Sequence, residues 1–210
     1  LSFHATKVFN TFEGGAIISQ DLKTKQRIDY LKNFGFAGET RIVAPGINAK
    51  MNEVEAAFGL LQLKHIDKAL EERKAIHHRY RELLKGLEGL TFVDVPDDVS
   101  WNHAYFPVLI EPKFGMSRDD VYTLFKADGI LTRRYFYPLI SSFAMYRGFP
   151  SSAEEHLPVA NDIADKVLCL PIYPGLTPED QDRVVNALRR ASLSGEVPSN
   201  ESAIYSGLVV

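Results

Sequence analysis

The chain has 210 residues, 45% of them hydrophobic and 24% charged, with 24 basic against 27 acidic side chains and a formal net charge of −3. These are the proportions of an ordinary globular protein of one or two domains, and charges spread along the chain without a basic stripe argue against nucleic acid as a partner. The single cysteine, Cys169, excludes an internal disulfide, and no apolar run reaches the roughly 20 residues that a membrane helix needs.

In chain order, Gly14-Gly15 reads as a turn leading into a short buried strand up to Ser19, and residues 21 to 33 as a polar helix. The turn formers between Gly35 and Gly46 predict a loop. At Asn52 a capping box with Glu55 starts a helix, because the Asn side chain and a Glu three residues on satisfy free backbone N–H groups reciprocally. Val54, Ala57, Phe58, Leu61, Ile66, Leu70, Ile76, Tyr80, Leu83 and Leu87 then recur at helical steps. One long helix, or two joined near Asp67, is expected to end at Gly86 or Gly89. His77 and His78 on it face no obvious partner and read as solvated.

Leu90 to Val95 and Trp101 to Ile110 are β-rich, and Ser117 caps a helix over 117 to 128. Leu131 to Tyr137 is strand-like up to Pro138, residues 154 to 166 are helical, and Val167 to Ile172 is an apolar strand that buries Cys169 as an inert thiol. Thr177 opens a last helix, with Pro178 in its first turn and Glu179 and Asp180 matched to the helix dipole. From Ser192 onward Ser, Gly, Pro, Asn and Glu dominate, and a disordered tail over 192–210 is expected. The opening Leu-Ser-Phe-His lacks the regions of a signal peptide, so the expected location is cytoplasmic. No zinc-like His/Cys spacing, Gly-x-Ser-x-Gly elbow or phosphate-binding Gly-rich loop occurs, and no metal is expected.

Two segments carry specific chemistry: Ser2-Phe3-His4-Ala5-Thr6-Lys7 followed by Glu13-Gly14-Gly15, and Gly46-Ile47-Asn48-Ala49-Lys50 with the helix after it. Read alone, Lys7 is a surface lysine, Ser2 a strand-end hydroxyl, His4 a packed histidine and Asn48 a turn former. Together the segments resemble the DegT-type nucleotide-sugar aminotransferases, which depend on pyridoxal phosphate (PLP) and have fold type I. Residues 168 to 180 resemble the family's small-domain ending, so the likeness spans roughly residues 1 to 190.

The resemblance implies an α/β fold, the C-terminal portion of the PLP-dependent transferase fold type I. Residues 1–66 would end the large PLP-binding domain, and 67–191 would form a connecting helix and a small α+β domain. In the family the lysine of Ser-Phe-His-x-x-Lys bonds covalently to PLP and the serine five residues earlier contacts its phosphate, which implies Lys7 and Ser2. A lysine in a partly desolvated pocket can release its proton and then move a proton between carbon atoms as a general base. His4 is a candidate substrate contact. The family's asparagine reaches the phosphate in the neighbouring subunit, so Asn48 implies a homodimer with shared sites. Lys50 stands where many members carry arginine, and Ile140 where a histidine frequently follows Tyr135-Phe136-Tyr137-Pro138-Leu139.

The implied reaction is amino transfer from glutamate to a nucleotide-linked 4-keto-6-deoxy sugar. Glu13-Gly14-Gly15 resembles members that act at C4. Two alternatives stand beside it: a PLP-dependent sugar dehydratase, in which histidine replaces the lysine and against which Lys7 argues, and a non-catalytic PLP-binding relative. The family's phosphate loop, ring-stacking residue and pyridine-pairing aspartate have no counterpart in these residues. The chain is therefore expected to be an incomplete fragment that begins inside a longer protein.

Overall fold

The computed structural model describes residues 1–194 apart from Asp97. The chain forms two compact units that divide between Glu71 and Glu72.

In the first unit, α1 (Leu22–Leu31) starts where the Asp21 carboxylate accepts from the Thr24 N–H, and α2 (Glu53–Leu63) starts where Asn52 accepts from Glu55 at 2.9 Å. Both caps satisfy backbone donors that a first helical turn leaves free. Between them, residues 33 to 48 form a loop closed by single bridges, Asn33 to Asn48 and Phe36 to Ile42. The expected buried strand after Gly15 does not form. Gly15 bridges Ser2, the Ala16 N–H bonds to Leu1, and Ile17 and Ile18 stay exposed. A strand needs a partner ladder, and no described segment supplies one there.

Of the two expected arrangements, the pair of helices joined near Asp67 is the one that forms. After α2 the chain turns at Lys64 and His65 and re-enters a helix as α3 (Ile66–Leu84), which runs across the division between the units. Gly59 is the one buried residue of α2, whereas Ile76, His77, Tyr80 and Leu84 are buried on α3.

The second unit is built on an antiparallel sheet of β1 (Leu90–Phe92), β2 (Phe106–Ile110) and β3 (Val167–Leu170), in the order β1-β2-β3. Its register pairs Leu90 with Ile110 and Phe106 with Leu170. Phe106, Val108 and Ile110 alternate into the core, and β3 is buried along its whole length. The helices α4 (Arg118–Ala127), α5 (Pro158–Lys166) and α6 (Pro178–Ser194) complete the unit. Tyr80 and Leu84 of α3, Val121 and Phe125 of α4, and Val185 and Leu188 of α6 close the core against the sheet. Each such side chain contributes about 2 kcal/mol on burial. Ser117 caps α4 by accepting from Asp120, and Thr177 caps α6 in the same way.

Four local expectations fail in this unit. Trp101 to Tyr105 is not strand, and the helix expected over 154 to 166 is broken at Leu157 into a 3-10 turn, Glu154–His156, and α5, which starts only at Pro158. Leu131 to Tyr137 makes a single bridge, Arg133 to Cys169, before the Tyr137 N–H turns back onto the Arg134 carbonyl. That turn removes the extended backbone a ladder requires, whatever the β propensity of the side chains. His77, expected to be solvated, is buried instead, between the rings of Trp101, His103 and Phe106. His78 is exposed.

Two arginines serve as internal ties. Arg73 Nη1 donates to the carbonyls of His103, Ala104 and Ile172, and the buried Arg118 donates to Ala164 and Val167 while its guanidinium lies over the Tyr137 ring. Cys169 is buried, and burial pushes its thiol up to about 11, which leaves it protonated and inert at neutral pH. Residues 192 to 194 close α6, while the remainder of the expected tail lies outside the described residues.

Candidate active site

Ser2, His4 and Lys7 lie on one closed loop of the first unit. The Phe3 N–H donates to Gly14 and the Thr11 N–H to Phe3, both at 2.9 Å, so the loop returns on itself at its base. Ser2 bridges Gly15 at the same place. At the crown, the Lys7 N–H donates to the His4 carbonyl at 2.9 Å, and Asn10 Nδ2 donates back to the Lys7 carbonyl at 3.3 Å. The loop is held on α2 by Phe12, whose ring stacks on Phe58 at 4.2 Å.

Lys7 is half-buried, and its amine has no hydrogen-bond or ion-pair partner among the described residues. The Ser2 hydroxyl is likewise free and exposed. His4 sits between Thr6, 3.0 Å from Nδ1, and the Glu13 carboxylate, 3.6 Å from Nε2.

Asn48 stands on the other loop, bridged to Asn33 just beyond α1. Lys50 Nζ donates to Asn33 Oδ1 at 2.8 Å and to Asn48 Oδ1 at 3.2 Å, and it lies over the Phe34 ring. The Asn48 amide N–H groups have no partner among the described residues. No hydrogen bond joins Asn48 to the Lys7 loop among the described residues; Ser2, His4 and Lys7 share one loop and Asn48 lies on another. No group of three His, Cys, Asp or Glu side chains among the described residues could hold a metal, and no described helix is long and apolar enough to cross a membrane.

A half-buried amine and an exposed hydroxyl on one closed loop, both without a partner among the described residues, suit an aldehyde-bearing, phosphorylated cofactor. The match to the profile of the DegT/DnrJ/EryC1/StrS aminotransferases covers residues 1–189. The chain belongs to this family. Its family is PLP-dependent, and the residues just described fit that group: a nucleophilic amine at Lys7, and hydroxyl and amide donors at Ser2 and Asn48 for a phosphate dianion.

The family chain is 57% identical over 168 residues to dTDP-4-amino-4,6-dideoxy-D-glucose transaminase of Escherichia coli, covering 80% of this chain and 45% of that one. It is 44% identical over 189 residues to the protein of the same name from Shigella dysenteriae, covering 90% of this chain and 51% of that one. Among solved structures it is similar to DesI, determined in the presence of its TDP-sugar product, with a TM-score of 0.85 and 38% identity over 92% of this chain and 49% of that one. The chain thus spans about half the length of the curated relatives it matches.

Sequence reasoning passed over Thr11, which is 2% exposed at the base of the Lys7 loop. A signal was present in Gly59, a glycine inside a helical pattern, which marks a close approach. The structure shows what approaches it: a Cβ at Gly59 would lie 2.9 Å from the Thr11 methyl.

Proposed function

We propose that this chain is the C-terminal portion of a PLP-dependent aminotransferase that moves an amino group from glutamate to C4 of a nucleotide-linked 4-keto-6-deoxy sugar, in amino-sugar and polysaccharide biosynthesis. The observation that carries the reading is the unpartnered, half-buried amine of Lys7 on a loop closed at its base. The relatives from Escherichia coli and Shigella dysenteriae, whose names specify a 4-amino-4,6-dideoxy sugar, support the position of amination.

In this reading residues 1–66 end the large domain, and 67–191 are the connecting helix and small domain. Bound PLP supplies an electron sink for carbanionic character at the substrate carbon. Lys7 would hold the cofactor through its amine, and the same amine would serve as the general base that moves a proton between carbon atoms. Ser2 donates its hydroxyl to the cofactor phosphate. Asn48 offers its free amide N–H groups to the phosphate in the partner subunit of a homodimer, with the Lys50 ammonium adding positive charge beside it. His4, held by Thr6 and Glu13, is the substrate contact of this reading. A cytoplasmic setting belongs to the same proposal.

The test is to incubate the full-length protein and PLP with glutamate and a panel of nucleotide keto sugars. Formation of 2-oxoglutarate together with a 4-amino sugar is the expected result. Loss of water from the sugar without glutamate consumption would reject amino transfer, and amination at C3 would reject the assigned position.

A further inference from the structure

We propose that Thr11 is the positioning residue of the Lys7 loop, acting on the reaction only through the placement of that lysine; the inference rests on the reading of Lys7 as the cofactor lysine. Thr11 is a buried polar residue in a unit whose neighbouring residues are largely exposed, and its N–H, hydroxyl and methyl are all engaged. Its N–H donates to the Phe3 carbonyl and its hydroxyl donates to the Glu13 carbonyl. Its methyl faces Gly59 of α2.

The fit is tight from two sides. A Cβ at Gly59 would lie 2.9 Å from the Thr11 methyl, and a Cβ at Gly14 would lie 2.7 Å from the Thr11 hydroxyl oxygen and 2.9 Å from the end of Met51. Neither separation is open to real carbon atoms, so both glycines leave room that the threonine occupies. Gly14 has φ +131°, and its carbonyl accepts from the Phe3 N–H, the second tie at the base of the loop. Thr11 therefore bonds both strands of the base, Phe3 on one side and Glu13 on the other, and seats that base on α2.

Between the base and Lys7 the backbone of the loop is tied by short-range bonds, from Lys7 to His4 and from Asn10 to Lys7, and side chains add the edge-on Phe3–Phe9 ring contact and the His4–Glu13 pair. The lysine stem is long and flexible, so the direction from which its amine approaches is set by where the loop crown stands. Loosening the base displaces the crown without touching the amine. A displacement on the order of 1 Å at a reacting group costs up to about a hundredfold in rate.

The experiment uses the full-length protein carrying Thr11→Val, which keeps the shape and removes the hydroxyl donor, Thr11→Ser, which keeps the donor and removes the methyl, and Gly59→Ala, which pushes into the threonine. Three quantities are read: kcat and KM for the keto sugar, the pH at which absorbance of the lysine-bound cofactor titrates, and the labelling rate of Lys7 by an amine reagent in cofactor-free protein. Thr11→Val should lower kcat at least about tenfold with KM changed less than about twofold, shift the absorbance titration and alter Lys7 labelling. Thr11→Ser should recover most of the loss.

Wild-type kcat, titration and labelling in Thr11→Val would overturn the proposal. So would a lower melting temperature with all three unchanged, which marks a merely structural role. If Thr11→Val does not fold, Thr11→Ser and Gly59→Ala are read in the same assays. Slowed turnover with altered Lys7 labelling in Gly59→Ala, but not in Thr11→Ser, supports the proposal, and wild-type behaviour in both overturns it. Turnover by Lys7→Ala would instead sink the cofactor-lysine reading, whereas a dead Lys7→Ala beside a wild-type Thr11→Val would sink only the role of Thr11.

Discussion

The imidazole rings of His77 and His103 lie 4.9 Å apart, in contact with the Trp101 ring, and neither Nδ1 has a hydrogen-bond partner among the described residues. Burial holds both below the ordinary histidine value, His77 at about 4, and each is also lowered by positive neighbours, His103, His78 and Arg81 for His77 and His78 and Lys74 for His103. An unfolded histidine takes its proton near pH 6.5, so between about 6.5 and 4 the unfolded chain holds more protons than the folded one. Stability is therefore full above that window and falls as the pH drops through it. Thermal unfolding followed by the fluorescence of Trp101, the one tryptophan of the chain, should show a falling midpoint from pH 7 to 4.5, with a smaller slope in His77→Gln. An identical slope in that variant would remove His77 as the source.

Tyr80 is fully buried against Phe106, and its hydroxyl has no partner among the described residues. Burial raises its pKa, so the phenol stays neutral. An unsatisfied buried hydroxyl costs stability that an apolar replacement of the same shape avoids. Tyr80→Phe should be stabilising by about 1 kcal/mol in denaturant unfolding. A loss of similar size would reveal a bonded hydroxyl.

Lys7→Ala in the full-length protein should reduce transamination by several orders of magnitude, because the cofactor lysine and the general base are removed together. The absorbance of lysine-bound cofactor should vanish as well. The melting temperature of the cofactor-free protein should change little, since the Lys7 amine makes no bond among the described residues. Near wild-type turnover would overturn the assignment.

Asn48 is testable through mixed dimers of an Asn48→Ala subunit and a Lys7→Ala subunit. If Asn48 serves the partner's cofactor, one site of the mixed dimer carries both lesions and the other carries neither, so activity returns to about half that of the wild type. If it serves its own subunit, every site carries one lesion. Mixtures that stay inactive despite demonstrated subunit exchange would count against sharing.

The sequence by itself determined what depends on neighbours within a turn or two. The N-caps at Asn52, Ser117 and Thr177 formed, because a side chain and the N–H three residues on are linked by local geometry alone, although the return bond from Glu55 that a full capping box adds at Asn52 is absent among the described residues. The Ser2 to Lys7 segment was legible for a different reason: its residue types in that order resemble one family, whose profile the chain matches. Only the tertiary structure decided that Leu131 to Tyr137 turns away from the sheet, that His77 is enclosed by Trp101, His103 and Phe106, and that Thr11 fills the room left by Gly59. Each of these depends on residues far apart in the chain. Burial and close approach are set by which surfaces meet, and a one-dimensional pattern records a side chain's preference without the neighbour that satisfies or overrides it.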